Sequence, residues 1–265
     1  MDTVLLEKRG GCAIVTLNRP LAMNALSRDL RDDFVTVFKQ CSEDPDIRVI
    51  ILTGNGKAFC AGFDLKELGS RDSDSAAEEA DNVVAQAMDA FTGPIIGAIN
   101  GHCITGGFEM ALACDILLAS ENARFADTHA RVGMLPGWGL SQKLPRLIGV
   151  SRAKEIAFTG APFAAQQAYE WGLVNHVLPE NELLPKALKI AQDICECVPA
   201  ALQQYQTLID DGASMLVDDA LDWEEARAIW WAKRASGKMI EGRRQAVLQK
   251  GRNELEPPSN KPTQP

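Results

Sequence analysis

The first part of the chain contains two short runs in which apolar and polar positions alternate. Residues 4–8 and 12–17 lie on either side of Arg9-Gly10-Gly11, and this arrangement predicts a β-hairpin. A period of 3.6 residues follows Ser27, whose hydroxyl suits the N-cap position, and predicts a helix. The apolar stripe of this predicted helix consists of Leu30, Phe34, Val37, Phe38 and Cys41.

Two later stretches share one design, in which a buried apolar strand runs into a glycine-bearing turn that opens a helix. The first has its strand at 49–53, its turn at 54–57 and its following segment at 58–66, and the second has them at 95–99, 100–107 and 108–113. Such turns leave backbone N–H groups without partners at the positive end of a helix. Two turns side by side are therefore expected to hold one oxygen atom between two amides, the arrangement that stabilises an enolate or another oxyanion.

The remaining pattern predicts an α/β core followed by a helical module. Residues 67–82 are acidic and rich in serine, so we expect a mobile loop there. Strands are predicted near 115–119, 123–126 and 173–178, and every segment after about 181 is helical in pattern. We predict a core over 1–195, a C-terminal helical module over 196–256, and a disordered tail over 257–265.

Composition and charge narrow the classes of partner. The chain has 265 residues and a net charge of −9, which argues against nucleic acid because that binding depends on Lys and Arg neutralising phosphates. Its seven cysteines, odd in number and partly in apolar runs, favour reduced thiols in a cytoplasmic compartment. No signal peptide, membrane-spanning stretch or peroxisomal C-terminal tripeptide is expected, and Cys195-Glu196-Cys197 lacks the further ligands that a metal site needs.

Glu109 is the first candidate for chemistry, because it lies in an apolar run three residues after Gly106. A phosphate-binding loop is excluded, since Gly107 and Phe108 stand where Lys and Ser or Thr are required. A buried carboxylate is costly unless it is compensated or used, so Glu109 is either catalytic or paired with an arginine or a backbone amide. His129, which follows a short predicted strand, is likewise either catalytic or a hydrogen-bonded structural residue.

Several ordered motifs resemble those of the enoyl-CoA hydratase/isomerase (crotonase) superfamily. They cover residues 4–195 well and the helical tail loosely. The matching segments are residues 17–20, 24–26, 58–66, 100–101, 106–109, 114–115, 135–139, 144–146 and 168–174.

The resemblance implies a fold, an assembly and a ligand. The implied fold is a crotonase-like spiral of ββα units with a C-terminal helical trimerisation region, assembled as a homotrimer or as a hexamer of two trimers. The implied ligand is an acyl-CoA thioester, so that no separate cofactor is expected, and neither a membrane nor a nucleic acid is an expected partner.

The resemblance also assigns candidate site residues. The amides of Phe63 and Gly106 match the family's oxyanion-hole donors, and Glu109 matches the first of the two catalytic glutamates of the hydratases. Residues matching the substrate-binding segments are Leu21, Ala22 and Met23 along the nucleotide and pantetheine path, and Ala61, Asp64, Leu65, Lys66 and Gly107 around the two turns.

The sequence departs from the hydratase pattern where the second glutamate is expected, because His129 stands there. Either Glu109 activates the water while His129 orients it or exchanges a proton, or Glu109 performs both transfers and His129 only forms hydrogen bonds. The leading hypothesis is a 2-enoyl-CoA hydratase. The alternatives are another acyl-CoA reaction with Glu109 as sole carboxylate (double-bond isomerisation, decarboxylation or C–C cleavage) and a non-catalytic binding protein.

Overall fold

The computed structural model describes residues 2–69, 82–234 and 237–255. The chain divides into two compact units, Met1–Pro199 and Ala200–Pro265. Most of the loop predicted over 67–82 and all of the tail predicted over 257–265 lie outside the described residues. Of the described part of that loop, residues 67–69 form the end of a short helix.

The elements of the first unit alternate between short strands and helices. The strands are β1 (Val4–Arg9), β2 (Cys12–Leu17), β3 (Val49–Gly54), β4 (Ala58–Cys60), β5 (Ile95–Ile99), β6 (His102–Ile104), β7 (Ile116–Ser120), β8 (Arg124–Ala126), β9 (Phe163–Ala164) and β10 (His176–Leu178). The helices are α1 (Arg28–Glu43), α2 (Leu65–Gly69), α3 (Val83–Asp89), α4 (Gly106–Leu112), α5 (His129–Val132), α6 (Leu140–Ile148), α7 (Val150–Thr159), α8 (Ala165–Glu170) and α9 (Glu180–Glu196), and a 3₁₀ turn spans Pro20–Ala22.

The strands form two sheets, and most neighbouring strands in them are parallel. In the described part of the chain, one sheet has the order β1-β2-β3-β5-β7-β10 and the other the order β4-β6-β8-β9. Each of the pairs β3–β4, β5–β6 and β7–β8 places one strand in each sheet, and the next pair adds its strands beside them. Because parallel neighbours require a crossover, the chain returns through a helical segment after each pair. This is the predicted spiral of ββα units.

The central strands of the larger sheet are parallel to one another and buried on both faces, whereas β1 pairs antiparallel with β2 at one edge and is largely exposed. Along β3, Ile50 and Leu52 face the main core, whereas Val49 and Ile51 face a second cluster. Helix α9 covers this second face with Leu183, Ala187 and Ala191. At its C-terminal end, the Arg48 guanidinium donates to the carbonyl oxygens of Cys195 and Cys197.

The local predictions hold for the hairpin and for the first helix, where the Ser27 hydroxyl accepts a hydrogen bond from Leu30 N at 3.3 Å. Two details of the repeated units are wrong. Ala58–Cys60 is a strand, so the helix of the first unit begins only at Leu65, and the turn of the second unit contains strand β6. Three-residue strands are too short to show a period, which is why the pattern did not reveal them.

The second unit consists of the helices α10 (Pro199–Gly212), α11 (Val217–Ala232) and α12 (Gly237–Leu255). Neither α10 nor α11 has a fully buried side chain. Trp230 and Trp231 lie with their ring centroids 6.3 Å apart, and the Arg227 and Arg234 guanidinium groups stack on Trp230. Among the residues that the structure describes, no helix has the length and apolar character needed to cross a membrane.

Candidate active site

The first turn of the site is held against the segment that precedes α1. Gly62 has φ +83°, a backbone conformation that glycine adopts without strain. Leu26 and Phe63 form a parallel bridge in which Leu26 N donates to Gly62 O at 2.8 Å and Asp64 N donates to Leu26 O at 3.3 Å. In such a bridge the central residue turns its own N–H away from its partner. The Phe63 amide accordingly has no acceptor among the described residues.

The second turn is held by a threonine in a strained conformation. Thr105 has φ +52°, a region in which a β-branched residue costs about 1–3 kcal/mol. Its N–H donates to Ala126 O at 2.9 Å, and its hydroxyl lies 2.6 Å from the Thr128 hydroxyl. The same oxygen also accepts from Thr128 N at 3.1 Å. These three hydrogen bonds offset the strain and fix the peptide that leads into α4.

Gly106 begins α4, so its N–H has no acceptor inside the helix, and none among the other described residues. The two turns touch through their glycines. A Cβ added to Gly62 would lie 3.2 Å from Gly106 N, and a Cβ added to Gly106 would lie 3.5 Å from Gly62 Cα. Gly107 is packed against strand β4, because a Cβ there would lie 2.2 Å from Cys60 O. Two amides without partners are thus presented by adjoining turns, as an oxyanion hole requires.

Glu109 lies one turn into α4, and only 2% of its surface is exposed. Its Oε1 accepts hydrogen bonds from Trp138 N at 2.7 Å and from Leu140 N at 3.4 Å. Burial raises the pKa of Glu109, and this effect outweighs the opposing effects of the Trp138 amide, the nearby His129 ring and the Leu140 amide. The carboxyl group is therefore oriented through one oxygen while its other oxygen, Oε2, is left for chemistry.

His129 faces this second oxygen. Its Nε2 lies 3.6 Å from Glu109 Oε2, which is an electrostatic contact and is longer than a hydrogen bond. Its Nδ1 lies 2.7 Å from Asp127 Oδ1, which also accepts the His129 backbone N–H at 3.0 Å. All three side chains are buried. The imidazole is thus clamped between two carboxyl groups, one on each ring nitrogen.

The aromatic rings of Phe63 and Trp138 connect the first turn to the loop that orients Glu109. Their centroids are 5.4 Å apart, and the Arg31 guanidinium lies 5.5 Å from the Phe63 ring centroid. The structure therefore brings Phe63, Gly106, Glu109 and His129 into one region.

The predicted substrate-binding residues differ in their surroundings. Ala61 N donates to Met23 O at 3.0 Å, so this part of the predicted path adjoins the first turn. Leu21 is fully exposed, and Leu65 and Lys66 are exposed on α2. Asp64 differs from these, because its Oδ2 is paired with the Arg19 guanidinium at 3.1 Å. Its carboxylate is engaged in holding the first turn.

Three contributors were missed by the sequence reasoning. Asp127 could have been identified from the sequence, because a carboxylate two residues before a candidate histidine commonly accepts a hydrogen bond from the backbone N–H of that histidine. Thr105 and Thr128 gave no signal, since nothing in a threonine's identity indicates a positive φ or a bond to another turn.

Known proteins of one family are similar to this chain over most of its length. The family model for enoyl-CoA hydratase/isomerase matches residues 7–234. The chain is 43% identical to the "Probable enoyl-CoA hydratase 1, peroxisomal" of Arabidopsis thaliana, with 84% of this chain and 83% of the relative covered. It is 37% identical to the short-chain-enoyl-CoA hydratase of Clostridium acetobutylicum, with 84% and 87% covered. The crystal structure of an enoyl-CoA hydratase from Bacillus anthracis superposes with a TM-score of 0.85 at 34% identity, covering 94% of this chain and 96% of that one.

The spiral of ββα units and the two adjoining turns define a crotonase-type protein. The chain belongs to the enoyl-CoA hydratase/isomerase family.

Proposed function

We propose that the protein is a 2-enoyl-CoA hydratase, which adds water across the double bond of an acyl-CoA thioester. The observation that carries this proposal is the pair of amides, Phe63 N–H and Gly106 N–H, that find no acceptor in the described part of the chain and lie in the same region as the buried carboxyl group of Glu109. Relatives that bear hydratase names over most of the chain support it. The substrate class is an acyl-CoA whose 2,3-double bond is conjugated with the thioester.

In the proposed reaction the thioester oxygen accepts hydrogen bonds from Phe63 N–H and Gly106 N–H. Glu109 takes a proton from water through Oε2, the water oxygen bonds to Cβ, and the electrons of the double bond move to the thioester oxygen as an enolate. The enolate then collapses and Cα accepts a proton from His129 Nε2. Each oxyanion donor is typically worth on the order of a hundredfold or more in rate.

The reaction uses only groups of the chain and the substrate, so the proposal includes no separate cofactor. Ala22 and Met23, beside Ala61, are proposed to line the pantetheine path, with Leu21, Leu65 and Lys66 at its exposed end. The exposed apolar residues of the second unit support a homotrimer or hexamer. The compartment is proposed to be cytoplasmic, in keeping with seven free thiols.

A second candidate function is double-bond isomerisation of an acyl-CoA. It is favoured by the presence of one carboxylate, Glu109, where the hydratase pattern has two, because a single group that removes and returns a proton serves an isomerase. Decarboxylation and C–C cleavage remain within the same scaffold's chemistry.

The deciding experiment mixes the purified protein with trans-2-enoyl-CoA thioesters of several chain lengths. Loss of the conjugated-thioester absorbance, together with a product heavier by one water, is the expected result. A product of unchanged mass would support isomerisation, and no reaction with any thioester of the panel would reject hydration.

His129 is tested in the same assay. His129→Ala should lower the rate and change its pH profile, because the proposed donor to Cα is lost. A variant with the parent's rate and profile would leave Glu109 to perform both transfers, with His129 reduced to a hydrogen-bonding role.

A further inference from the structure

The reaction proposed above leaves Asp127 without an assigned role, although it is placed as specifically as Glu109. Only 3% of its surface is exposed. Its Oδ1 accepts a hydrogen bond from the backbone N–H of His129 at 3.0 Å and lies 2.7 Å from Nδ1 of the same residue. A carboxylate can only accept at this position, so the ring nitrogen beside it must carry the hydrogen.

We propose that Asp127 is a positioning residue that holds His129 in the Nδ1-protonated form, so that Nε2 is the ring nitrogen that exchanges protons with Glu109 and with the substrate. The inference rests on the proposed function for its chemical consequence, but the assignment of the ring form does not. The backbone bond from His129 N fixes which oxygen of Asp127 meets the ring, and therefore fixes the ring's rotation as well.

The proton balance of the proposed cycle requires that Nε2 of His129 can both give and accept a proton. The proposed cycle begins from the form in which Glu109 is a carboxylate and both ring nitrogens of His129 carry hydrogen. Water gives one proton to Glu109 and its oxygen bonds to Cβ, and Cα receives the hydrogen of His129 Nε2. The site is then left with a protonated Glu109 and a neutral ring whose only hydrogen is on Nδ1.

Return to the starting state needs one transfer, from Glu109 Oε2 to His129 Nε2. These atoms are 3.6 Å apart before substrate is bound, and such contacts commonly shorten in the reacting complex. The transfer is possible only when Nε2 offers a lone pair, which the hydrogen bond to Asp127 secures. Burial that favours the neutral carboxyl form of Glu109 keeps this proton in the site between the two steps.

The ring form can be measured directly. The chain contains three histidines, His102, His129 and His176, and the first and last are exposed. In protein labelled with ¹⁵N at histidine, the protonated and unprotonated ring nitrogens have well separated shifts, and a His129→Gln variant identifies the signals of His129. Because the proposed cycle starts with hydrogen on both ring nitrogens, the spectra of the full-length protein are followed upward in pH until the first ring hydrogen is lost. We expect Nε2 to lose its hydrogen and Nδ1 to keep it.

Two variants of Asp127 separate the acceptor from its charge. Asp127→Asn keeps an oxygen acceptor and should retain the Nδ1-protonated ring. Asp127→Ala removes the acceptor, so His129 should show a mixture of ring forms or the Nε2-protonated one. We expect kcat with enoyl-CoA to fall by roughly tenfold or more in Asp127→Ala with KM changed less than about threefold, and to fall less in Asp127→Asn.

Asp33→Asn is the matched control, because Asp33 Oδ2 also accepts two hydrogen bonds from one residue, Thr3, at a place that takes no part in the reaction. It should leave kcat and the His129 signals unchanged. The proposal is overturned if the parent protein shows an Nε2-protonated neutral ring, or if Asp127→Ala keeps the parent's ring form or kcat. If no thioester is hydrated, the proposed function fails while the ¹⁵N measurement still decides the assignment of Asp127.

Discussion

The two turns of the site deliver one amide each, but they are built and supported differently. The first turn uses a glycine, Gly62, and its nearest carboxylate, Asp64, is paired with Arg19. The second uses a strained Thr105 bonded to Thr128, and the carboxyl group that follows it, Glu109, is buried and accepts hydrogen bonds from the Trp138 and Leu140 amides.

In the proposed reaction, the second turn is the one that is coupled to the proton-transfer groups. The hydroxyl bridge joins Thr105, next to Gly106, to Thr128, next to His129. Any shift of the second turn therefore disturbs both the oxyanion donor and the proton-transfer groups. A shift of the first turn that leaves Gly106 in place moves the Phe63 amide, and it reaches the loop that orients Glu109 less directly, through the contact between the Phe63 and Trp138 rings.

The largest effect is expected from Glu109→Gln in the second turn's helix. The amide cannot accept a proton from water, so kcat with a trans-2-enoyl-CoA should fall by about 10²–10⁴-fold. The variant keeps an oxygen that can accept from Trp138 N, so binding of the 3-hydroxyacyl-CoA product, measured by calorimetry, should stay within a few fold. A fully active variant would remove Glu109 from the mechanism.

Gly62→Ala is the next largest change, and it tests whether the first turn is independent of the second. The added Cβ would lie 3.0 Å from Ile104 O and 3.2 Å from Gly106 N, in a backbone region unfavourable to alanine. Because both donors are displaced, kcat should fall by about a hundredfold. Gly133→Ala is a matched control, since Gly133 also has a positive φ but its added Cβ would meet no atom of the described residues within 4 Å. Equal losses in both variants would show that backbone strain alone is responsible.

Thr105→Val tests the hydroxyl bridge between the second turn and Thr128, with a smaller expected effect. The shape is kept, but the Thr128 hydroxyl and amide lose their partner, which should lower the free energy of unfolding by about 1–3 kcal/mol. Both kcat and the His129 ring signals should change, because the bridge joins the residue before Gly106 to the residue before His129. A variant that loses stability but keeps kcat and those signals would show that the bridge is structural only.

The smallest effects concern how the free energy of unfolding depends on pH. The carboxyl groups of Asp64 and Glu109 should affect it in opposite directions. Partial burial works to raise the pKa of Asp64, but the hydrogen bond from Arg19 and those from Glu67 and Lys66 hold it below its ordinary value. Asp64→Asn should therefore be less stable than the parent near neutrality, with the gap closing as the pH falls below about 4.

Glu109 has the opposite sign, because burial raises its pKa in the folded protein. Its charge costs stability above that pKa, and the cost disappears as the pH falls below the unfolded value of about 4.3. Glu109→Gln should therefore be more stable than the parent near neutrality and equal to it in acid. Urea unfolding of the two variants between pH 3.5 and 7.5 measures both trends, and parallel curves would contradict the contrast.

The sequence was sufficient for the features that depend on local pattern. The hairpin, the capped first helix and the two strand–turn units followed from periodicity and from glycine placement, and the family motifs pointed to Phe63, Gly106, Glu109 and His129, which the structure brings together. The spiral of ββα units came from the resemblance alone, because no local pattern indicates which strands are neighbours.

Other features depend on contacts between distant parts of the chain. Glu109 is oriented by amides at 138 and 140, about thirty residues away, and no pattern near Glu109 indicates them. Thr105 adopts a positive φ because the bonds to Ala126 and Thr128 outweigh its intrinsic preference. The pairing of Asp64 with Arg19 similarly joins residues that are 45 positions apart.

The hydrogen bonds of Arg48 at the end of helix α9 have a consequence for how the first unit unfolds in acid. Arg48 holds the carbonyl oxygens of Cys195 and Cys197, and a peptide carbonyl stays unprotonated at pH values where carboxylates become neutral. Acidification breaks the ion pair between Arg19 and Asp64 but leaves the hydrogen bonds of Arg48 intact. The edge that carries Asp64 should consequently loosen before the helix that covers the back of the sheet, so that hydrogen exchange below about pH 4 accelerates on one side of the first unit first.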